Sequence, residues 1–375
     1  MKKLLSLALV IVPLVVLVGC DKPSFKNANI EHELEFGGVY AHRTIEEFNN
    51  LGFTYGDSVD VSFSNGYRLR DIPYYNGYYV DAGQPLLVGY PGYPFIKVTI
   101  NFGDDLWNIA NLEEGMTVSI AMNTRGKYKD IQVASDIHYY DEREKYTSDV
   151  EFANFRNIKV GTIKENILYR SASPCDNQHK RASYVDRLME QEEIQFVLNL
   201  ADTQEKIESY IAKEDFNSPY FLKLYRRESY FLSFSNGEKV DPIALNMNYT
   251  SADFARKIAS GLKNMAKSDG PYLVHCLEGK DRTGFVCIVL EALMGASYKE
   301  IVDDYMLTYK NYYGIDSKDP RYNIIKNRNV DSMLAFLCGD YDYTKGNLNK
   351  YITKYLTEMG EMEESDIDSL INKLK

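Results

Sequence analysis

The chain has 375 residues, 45% of them apolar, and 54 acidic against 43 basic side chains give a formal net charge of −11. That length allows two domains with sizeable cores. The acidic balance excludes nucleic-acid binding by bulk electrostatics and long-range attraction of anionic substrates, so any recognition of an anion has to be local.

The chain opens with MKKLLSLALVIVPLVVLVGC. Lys2 and Lys3 make a basic start, and Leu4 to Val18 make an apolar stretch too short to span a bilayer comfortably. This pattern predicts a cleaved export signal. Its end, Leu17-Val18-Gly19-Cys20, resembles the bacterial lipobox. The resemblance implies a lipoprotein signal peptide over residues 1–20 and diacylation of Cys20. Two acyl chains suffice for stable anchoring, which implies an exported lipoprotein on the outer side of the cytoplasmic membrane. An ordinary secretory signal cut elsewhere is the alternative.

Residues 21–36, DKPSFKNANIEHELEF, are polar and weakly periodic, and predict a tether. Then the texture changes. Val59, Val61 and Phe63 alternate with polar residues in SVDVSFS, as do Ile96, Val98, Ile100 and Phe102 in FIKVTINF and Val118 and Ile120 in MTVSIAM. Alternation of period two predicts half-buried strands. Asn65-Gly66 and Asn76-Gly77 are hairpin signals, because both residue types tolerate positive φ. Residues 37–137 therefore read as a small all-β domain, a barrel or a sandwich, with no cluster of His, Cys or carboxylates at ligand spacing. Its segment INFGDDLWNIANLEEGMTVSI is similar to part of the β domain of bacterial S-adenosylmethionine hydrolases, a likeness that implies a β module and no activity. A structural or partner-binding role fits it, and its partner is not legible.

HYYDEREKYTSDVE, residues 138–151, is charged and aromatic and reads as a linker. Beyond it the pattern becomes α/β, and together with this segment residues 138–375 read as one domain. Ile167-Leu168-Tyr169 and Phe196-Val197-Leu198 suit buried strands, and Val185, Leu188 and Met189 share a helical face. Phe254, Ile258, Leu262 and Met265 recur at helical spacing behind Ser251, a good N-cap. Tyr272 to Val274 is a strand, and Phe285 to Met294 is a helix apolar on nearly every side, stopped by Gly295. Strands alternating with helices predict an α/β fold with a mostly parallel central sheet flanked by helices. Helices continue after about Pro320.

Between that last strand and its helix lies HCLEGKDRTG, residues 275–284. A helix N-terminus presents unpaired N–H groups and positive dipole, which together bind anions. Cys276 stands at the strand end facing it, where helix dipole and cations favour the nucleophilic thiolate. Arg282 offers a planar fork for two oxygens of a tetrahedral anion. Gly279 lets the backbone curl so that successive amides point inward. Thr283 can donate its hydroxyl to the sulfur, and His275 can fix the loop from behind. Side chains at Leu277 and Glu278 then radiate outward, while Lys280 adds positive charge that Glu278 opposes. Nucleophile, amides and fork converge on a target that looks like a phosphate monoester. A Walker A loop is excluded, because Val274 stands at its first Gly position and Asp281 follows the lysine. A rhodanese-like loop fits the Arg-Thr-Gly helix start poorly, and a buried structural cysteine explains Cys276 alone.

HCLEGKDRTG resembles the Cys-x5-Arg signature of the protein tyrosine phosphatase superfamily, and within it the bacterial tyrosine/lipid phosphatase branch with the loop HCxxGKDRTG. LYRSASP at 168–174, FVLNLAD at 196–202 and EIVDDYMLT at 300–308 are similar to further segments of that branch. The likeness covers roughly residues 150–340 and leaves the β domain out. It implies a cysteine-dependent phosphatase that works through a thiophosphate intermediate and needs no metal or cofactor. Cys276 would be the nucleophile, and Arg282 with Leu277, Glu278, Gly279, Lys280, Thr283 and Gly284 would bind the substrate phosphate. Asp281, or in second place Asp202, would be the general acid. Arg170 would brace the loop or touch substrate, and Asp303 and Asp304 would lie on a solvated helix face. The expected partners are a phosphorylated protein, tyrosine-phosphorylated or of dual specificity, or a phosphoinositide, together with the membrane through its anchor. A phosphatase fold that only binds phosphorylated ligands is the contrasting reading.

Overall fold

The structure is a computed structural model that describes residues 22–34, 37–81, 83–101, 103–226, 239–246 and 248–375. The expected export signal and Cys20 lie outside these residues. The chain divides into two compact units, one up to Lys129 and one from Asp130 onward. Among the described residues no helix is long and apolar enough to cross a membrane.

The first unit is a closed barrel of seven strands: β1 (Ser24–His32), β2 (Val39–Ala41), β3 (Ser58–Phe63), β4 (Arg68–Tyr75), β5 (Pro85–Val88), β6 (Ile96–Ile100) and β7 (Thr117–Thr124). Their order around the barrel is β1-β2-β6-β5-β4-β3-β7, closed because β1 pairs antiparallel with both β2 and β7. The alternating residues Val59, Val61, Phe63, Ile96, Val98, Val118 and Ile120 all point into the core. Two expectations fail here. Residues 21–36 were expected as a tether, yet Ser24–His32 is a barrel strand. Its inward residues Phe25, Ala28 and Ile30 are spaced three and then two apart, because the register shifts between Phe25 and Ala28. A bulge of this kind hides the period of two. Asn76-Gly77 is not a hairpin either, because β4 and β5 run parallel and the chain must cross between them. Asn65-Gly66 does join the antiparallel pair β3–β4, with Gly66 at φ +92°.

The second unit is a mixed α/β domain. Its five strands are β8 (Arg156–Asn157), β9 (Leu168–Ser171), β10 (Phe196–Asn199), β11 (Val240–Pro242) and β12 (Tyr272–His275). The order is β11-β10-β12-β9-β8. The pairings β11/β10, β10/β12 and β12/β9 are parallel, and β8/β9 is antiparallel. Every residue of β9, β10 and β12 is buried. Successive side chains point to opposite faces, so each strand feeds two cores. Leu168, Leu198 and Val274 join the core under the helices Ala252–Lys267 and Asp281–Leu293. Tyr169, Val197 and Leu273 join the core under the helices Ala182–Gln191 and Pro219–Tyr225.

The helix Ala252–Lys267 starts where Ser251 accepts a hydrogen bond from the Phe254 amide at 3.2 Å. It buries Phe254, Ile258, Leu262 and Met265 in one stripe. Each such side chain contributes about 1.5–3 kcal/mol, and Ile258→Ala would cost about 2–5 kcal/mol. Residues 138–151 are part of this unit and not a free linker: Arg143 pairs with Asp149 at 2.6 Å, and Tyr139 stacks on Tyr312. Cys175, Cys276, Cys287 and Cys338 are all buried and free, so none of them pair.

Candidate active site

The loop of interest leaves the C-terminal end of the central strand β12 and enters the helix Asp281–Leu293. The strand is clamped by parallel neighbours on both sides and the helix is buried all round, so both ends of the loop are fixed. Gly279 makes the turn at φ +68°, and a Cβ there would stand 2.1 Å from the Ser171 carbonyl oxygen. No side-chain residue fits that position.

The loop carbonyls are tied back one by one. The Leu277 carbonyl accepts from the Ser173 amide at 2.9 Å. The Glu278 carbonyl accepts from Tyr312 Oη at 2.8 Å and from Asn154 Nδ2 at 3.3 Å. The Gly279 carbonyl accepts from Arg170 Nη2 at 2.8 Å and from Asn154 Nδ2 at 3.3 Å. In a trans peptide the N–H points opposite to the C=O. The amides of Glu278, Gly279 and Lys280 therefore face away from these donors, and none of them has a backbone acceptor among the described residues. The helix adds its first amides, which no side chain caps. The result is a cradle of N–H groups with the positive helix end at its base.

Cys276 lies beside the cradle, 3% exposed, at the edge of the larger core. His275 is fully buried, and its Nδ1 donates to the Cys276 carbonyl at 3.1 Å. Burial pushes the His275 pKa down to about 4, against the pull of that carbonyl, so the imidazole is neutral at pH 7. The fully buried Thr283 hydroxyl has no hydrogen-bond partner among the described residues, which leaves it for the sulfur or a bound anion. Arg282 is half-buried and, among the described residues, is held by one bond, from Nη1 to the Leu245 carbonyl at 3.1 Å. Gly284 admits the ring of Tyr305, whose Cε2 would lie 2.3 Å from any Cβ.

Three charged side chains flank the cradle. Lys280 Nζ lies 3.0 Å from Glu278 Oε2 and 3.7 Å from Asp281 Oδ2. Burial works against charge on both Glu278 and Lys280. For Glu278 the attraction of Lys280 outweighs it, and for Lys280 the attractions of Asp281 and then Glu278 do, so Glu278 sits below its ordinary pKa and Lys280 well above. Asp281 differs. Desolvation by the surrounding protein raises its pKa, and Lys280 only partly opposes this, although the side chain remains 36% exposed. It is a carboxyl that holds its proton more tightly than an ordinary Asp and lies within reach of solvent.

Arg170 and Asp202 prove to be internal. Arg170 is 1% exposed, so it braces the loop and does not meet substrate. Its Nη1 donates to Asp304 Oδ2 at 2.5 Å while Nη2 holds the Gly279 carbonyl. Asp304 also accepts from Arg156 Nε at 2.7 Å, and Arg156 reaches Asn154 Oδ1 at 2.7 Å. Asp304 was expected on a solvated face and is 9% exposed instead, whereas Asp303 is 56% exposed and pairs with Lys299. Consecutive helical residues stand about 100° apart, so only one of the two can face the core. Burial opposes charge on Asp304, but the two guanidiniums hold its pKa well below the ordinary range. Burial, helped by Asp304, pushes the neighbouring Glu291 well above its own. Asp202 is 1% exposed and accepts from Asn199 Nδ2 at 3.1 Å and from Tyr210 Oη at 3.2 Å.

The sequence reading missed Asn154, Arg156, Asp304 and Tyr312, the bracing set behind the loop. It also missed Tyr139, which donates to Glu278 Oε1 at 3.2 Å from the presumed linker. Only the Asp-Asp-Tyr run carried a signal for any of them. Among the described residues no cluster of three His, Cys, Asp or Glu side chains could hold a metal ion.

The sequence model described as the tyrosine phosphatase family matches residues 151–375, more than half of the chain. No curated protein matches. Among solved structures, an uncharacterised conserved protein from Thermotoga maritima is 20% identical with a TM-score of 0.22, over 25% of this chain and 35% of that one. The core catalytic domain of the PP-IP phosphatase SIW14 from S. cerevisiae, solved with citrate, is 20% identical with a TM-score of 0.27, over 48% of this chain and 88% of that one. The chain thus spans about a third of the Thermotoga chain.

Proposed function

Because the chain belongs to the tyrosine phosphatase family, we propose that it is a cysteine-dependent phosphatase that hydrolyses phosphate monoesters, with phosphotyrosine in proteins as its substrate. The observation that carries this reading is the loop whose carbonyls are tied back by Ser173, Asn154, Arg170 and Tyr312. Its amides are left to cradle a tetrahedral anion beside Cys276.

The Cys276 thiolate attacks phosphorus, and the S–P bond forms as the P–O bond to the leaving group breaks. Arg282 and the loop amides hold the equatorial oxygens, where charge builds. Asp281 gives its proton to the leaving oxygen, a role that fits its raised pKa and its exposure. Water then attacks phosphorus and passes a proton to the Asp281 carboxylate. The S–P bond breaks, releasing inorganic phosphate and restoring the thiolate. Asp202 holds the loop after β10, since both its oxygens are occupied within the core. Thr283 donates to the sulfur as it leaves.

A substrate panel tests the reading: phosphotyrosyl, phosphoseryl and phosphothreonyl peptides and phosphoinositides. Fastest turnover is expected on the phosphotyrosyl peptides. Phosphopeptide binding without turnover would overturn the enzyme reading in favour of a binding protein. We further propose that Cys20 carries the lipid anchor of an exported lipoprotein, supported by the lipobox-like Leu17-Val18-Gly19-Cys20. Mass spectrometry of the membrane-extracted protein should find an acylated N-terminal cysteine, and a free Met1 or an unmodified Cys20 would contradict it.

A further inference from the structure

The pairing of Glu278 with Lys280 beside the cradle is built by residues from separate segments. Glu278 Oε2 lies 3.0 Å from Lys280 Nζ, and Glu278 Oε1 accepts from Tyr139 Oη at 3.2 Å. Tyr139 Oη lies 2.9 Å from His179 Nε2, and His179 Nδ1 lies 3.2 Å from Asp141 Oδ1. The Tyr139 ring stacks on Tyr312 with centroids 5.4 Å apart, and Tyr312 holds the Glu278 carbonyl. From the other side, Lys280 Nζ donates to Tyr313 Oη at 3.3 Å. The Glu278 and Lys280 side chains are 23% and 17% exposed, so neither is free to swing into solvent.

The charges count simply. Lys280 is paired with Glu278 at 3.0 Å, its nearer partner, and with Asp281 at 3.7 Å, so the ammonium is offset within the loop. Arg282 is the remaining cation of the loop. Amides plus one guanidinium suit a single phosphate dianion. A second phosphate on the same substrate would meet the Glu278 carboxylate, with no free ammonium in the loop to offset it.

We propose that Glu278 is a specificity-determining residue, positioned by Tyr139, which cancels Lys280 and restricts the site to substrates carrying one phosphate, against polyphosphorylated ones. This inference rests on the phosphatase reading above and names the substrate class of that site.

The test replaces Glu278 by Gln, which keeps the shape and the acceptor for Tyr139 but frees the Lys280 charge from its nearer partner. The readout is the ratio of kcat/KM for an inositol tetrakisphosphate to that for a phosphotyrosyl peptide. Removing one negative charge within several ångströms of the second phosphate should raise this ratio about tenfold after screening. Tyr139→Phe removes only the positioning hydroxyl and should move the ratio the same way by a smaller factor. That direction is one which mere loosening of the fold would not produce. The same two ligands are titrated by calorimetry against Cys276→Ser and Cys276→Ser/Glu278→Gln, where binding is read without turnover. A tighter Kd for the tetrakisphosphate alone supports the proposal. An unchanged ratio in both formats, or a shift toward the phosphotyrosyl peptide, overturns it. Absence of Cys276-dependent turnover in the parent would instead overturn the phosphatase reading, while the calorimetric ratio still decides the role of Glu278.

Discussion

The brace behind the loop yields an ordering of two substitutions. Asp304 is shared by Arg156 at 2.7 Å and Arg170 at 2.5 Å, all three at most 9% exposed. Burial, helped by Asp304, pushes Glu291 nearby well above its ordinary pKa, so it is a poor counter-charge for the two guanidiniums. Arg170→Met removes one cation and leaves Arg156 and Asp304 balanced. What is lost is chiefly the charge-assisted bond to the Gly279 carbonyl, about 2 kcal/mol. Asp304→Asn keeps the shape but leaves two buried guanidiniums without their anion, which costs about 3–5 kcal/mol. For a unit of this size that lowers the melting temperature by about 10 °C. Urea unfolding at pH 7, with kcat measured on the same samples, checks both. Arg170→Met should therefore be the more stable variant and still lose at least tenfold in kcat, because the Gly279 carbonyl is released and the amide cradle loosens. An Arg170→Met variant less stable than Asp304→Asn, or one with parental kcat, would refute the charge count and the bracing role.

Further predictions concern the loop itself. Asp281→Asn should remove the fall of kcat/KM at rising pH, because that limb reports loss of the Asp281 proton. Asp202→Asn should keep the limb and lower stability by about 1–3 kcal/mol through its buried network; pH–rate profiles of both variants separate the roles. Gly279→Ala should cost about 3 kcal/mol or more and abolish turnover, since it combines φ +68° with a 2.1 Å clash. His275 is neutral in the folded state down to pH about 4, against an ordinary value of 6.5. Above pH 6.5 it contributes no penalty. As pH falls toward 4, the unfolded chain takes up a proton that the folded one refuses, costing up to about 3 kcal/mol. A His275→Gln variant should lose that part of the acid sensitivity in urea titrations at pH 7 and pH 4.

How legible each part was depended on how local its information is. The loop could be read because nucleophile, turn glycine, arginine and helix start are contiguous from Cys276 to Gly284. The strands β9, β10 and β12 were visible as short apolar runs, since both of their faces are buried. β1 was not, because its bulge breaks the alternation and leaves a sequence that looks like polar tether. Asn76-Gly77 carries the local chemistry of a hairpin, but strand order is a property of the whole barrel and made the connection a crossover. Asp303 and Asp304 are the same residue type side by side, and only the packing of their helix chooses which is buried. Tyr139 was the least legible, since 139 residues of chain separate it from the Glu278 it contacts.

The central claim is that Cys276 is the nucleophile of a metal-independent phosphatase. The most direct measurement is hydrolysis of a phosphotyrosyl peptide by the full chain in excess chelator, compared with Cys276→Ser matched for folding by circular dichroism. The account predicts steady turnover by the parent and none by the variant. Equal turnover by the two proteins would contradict it.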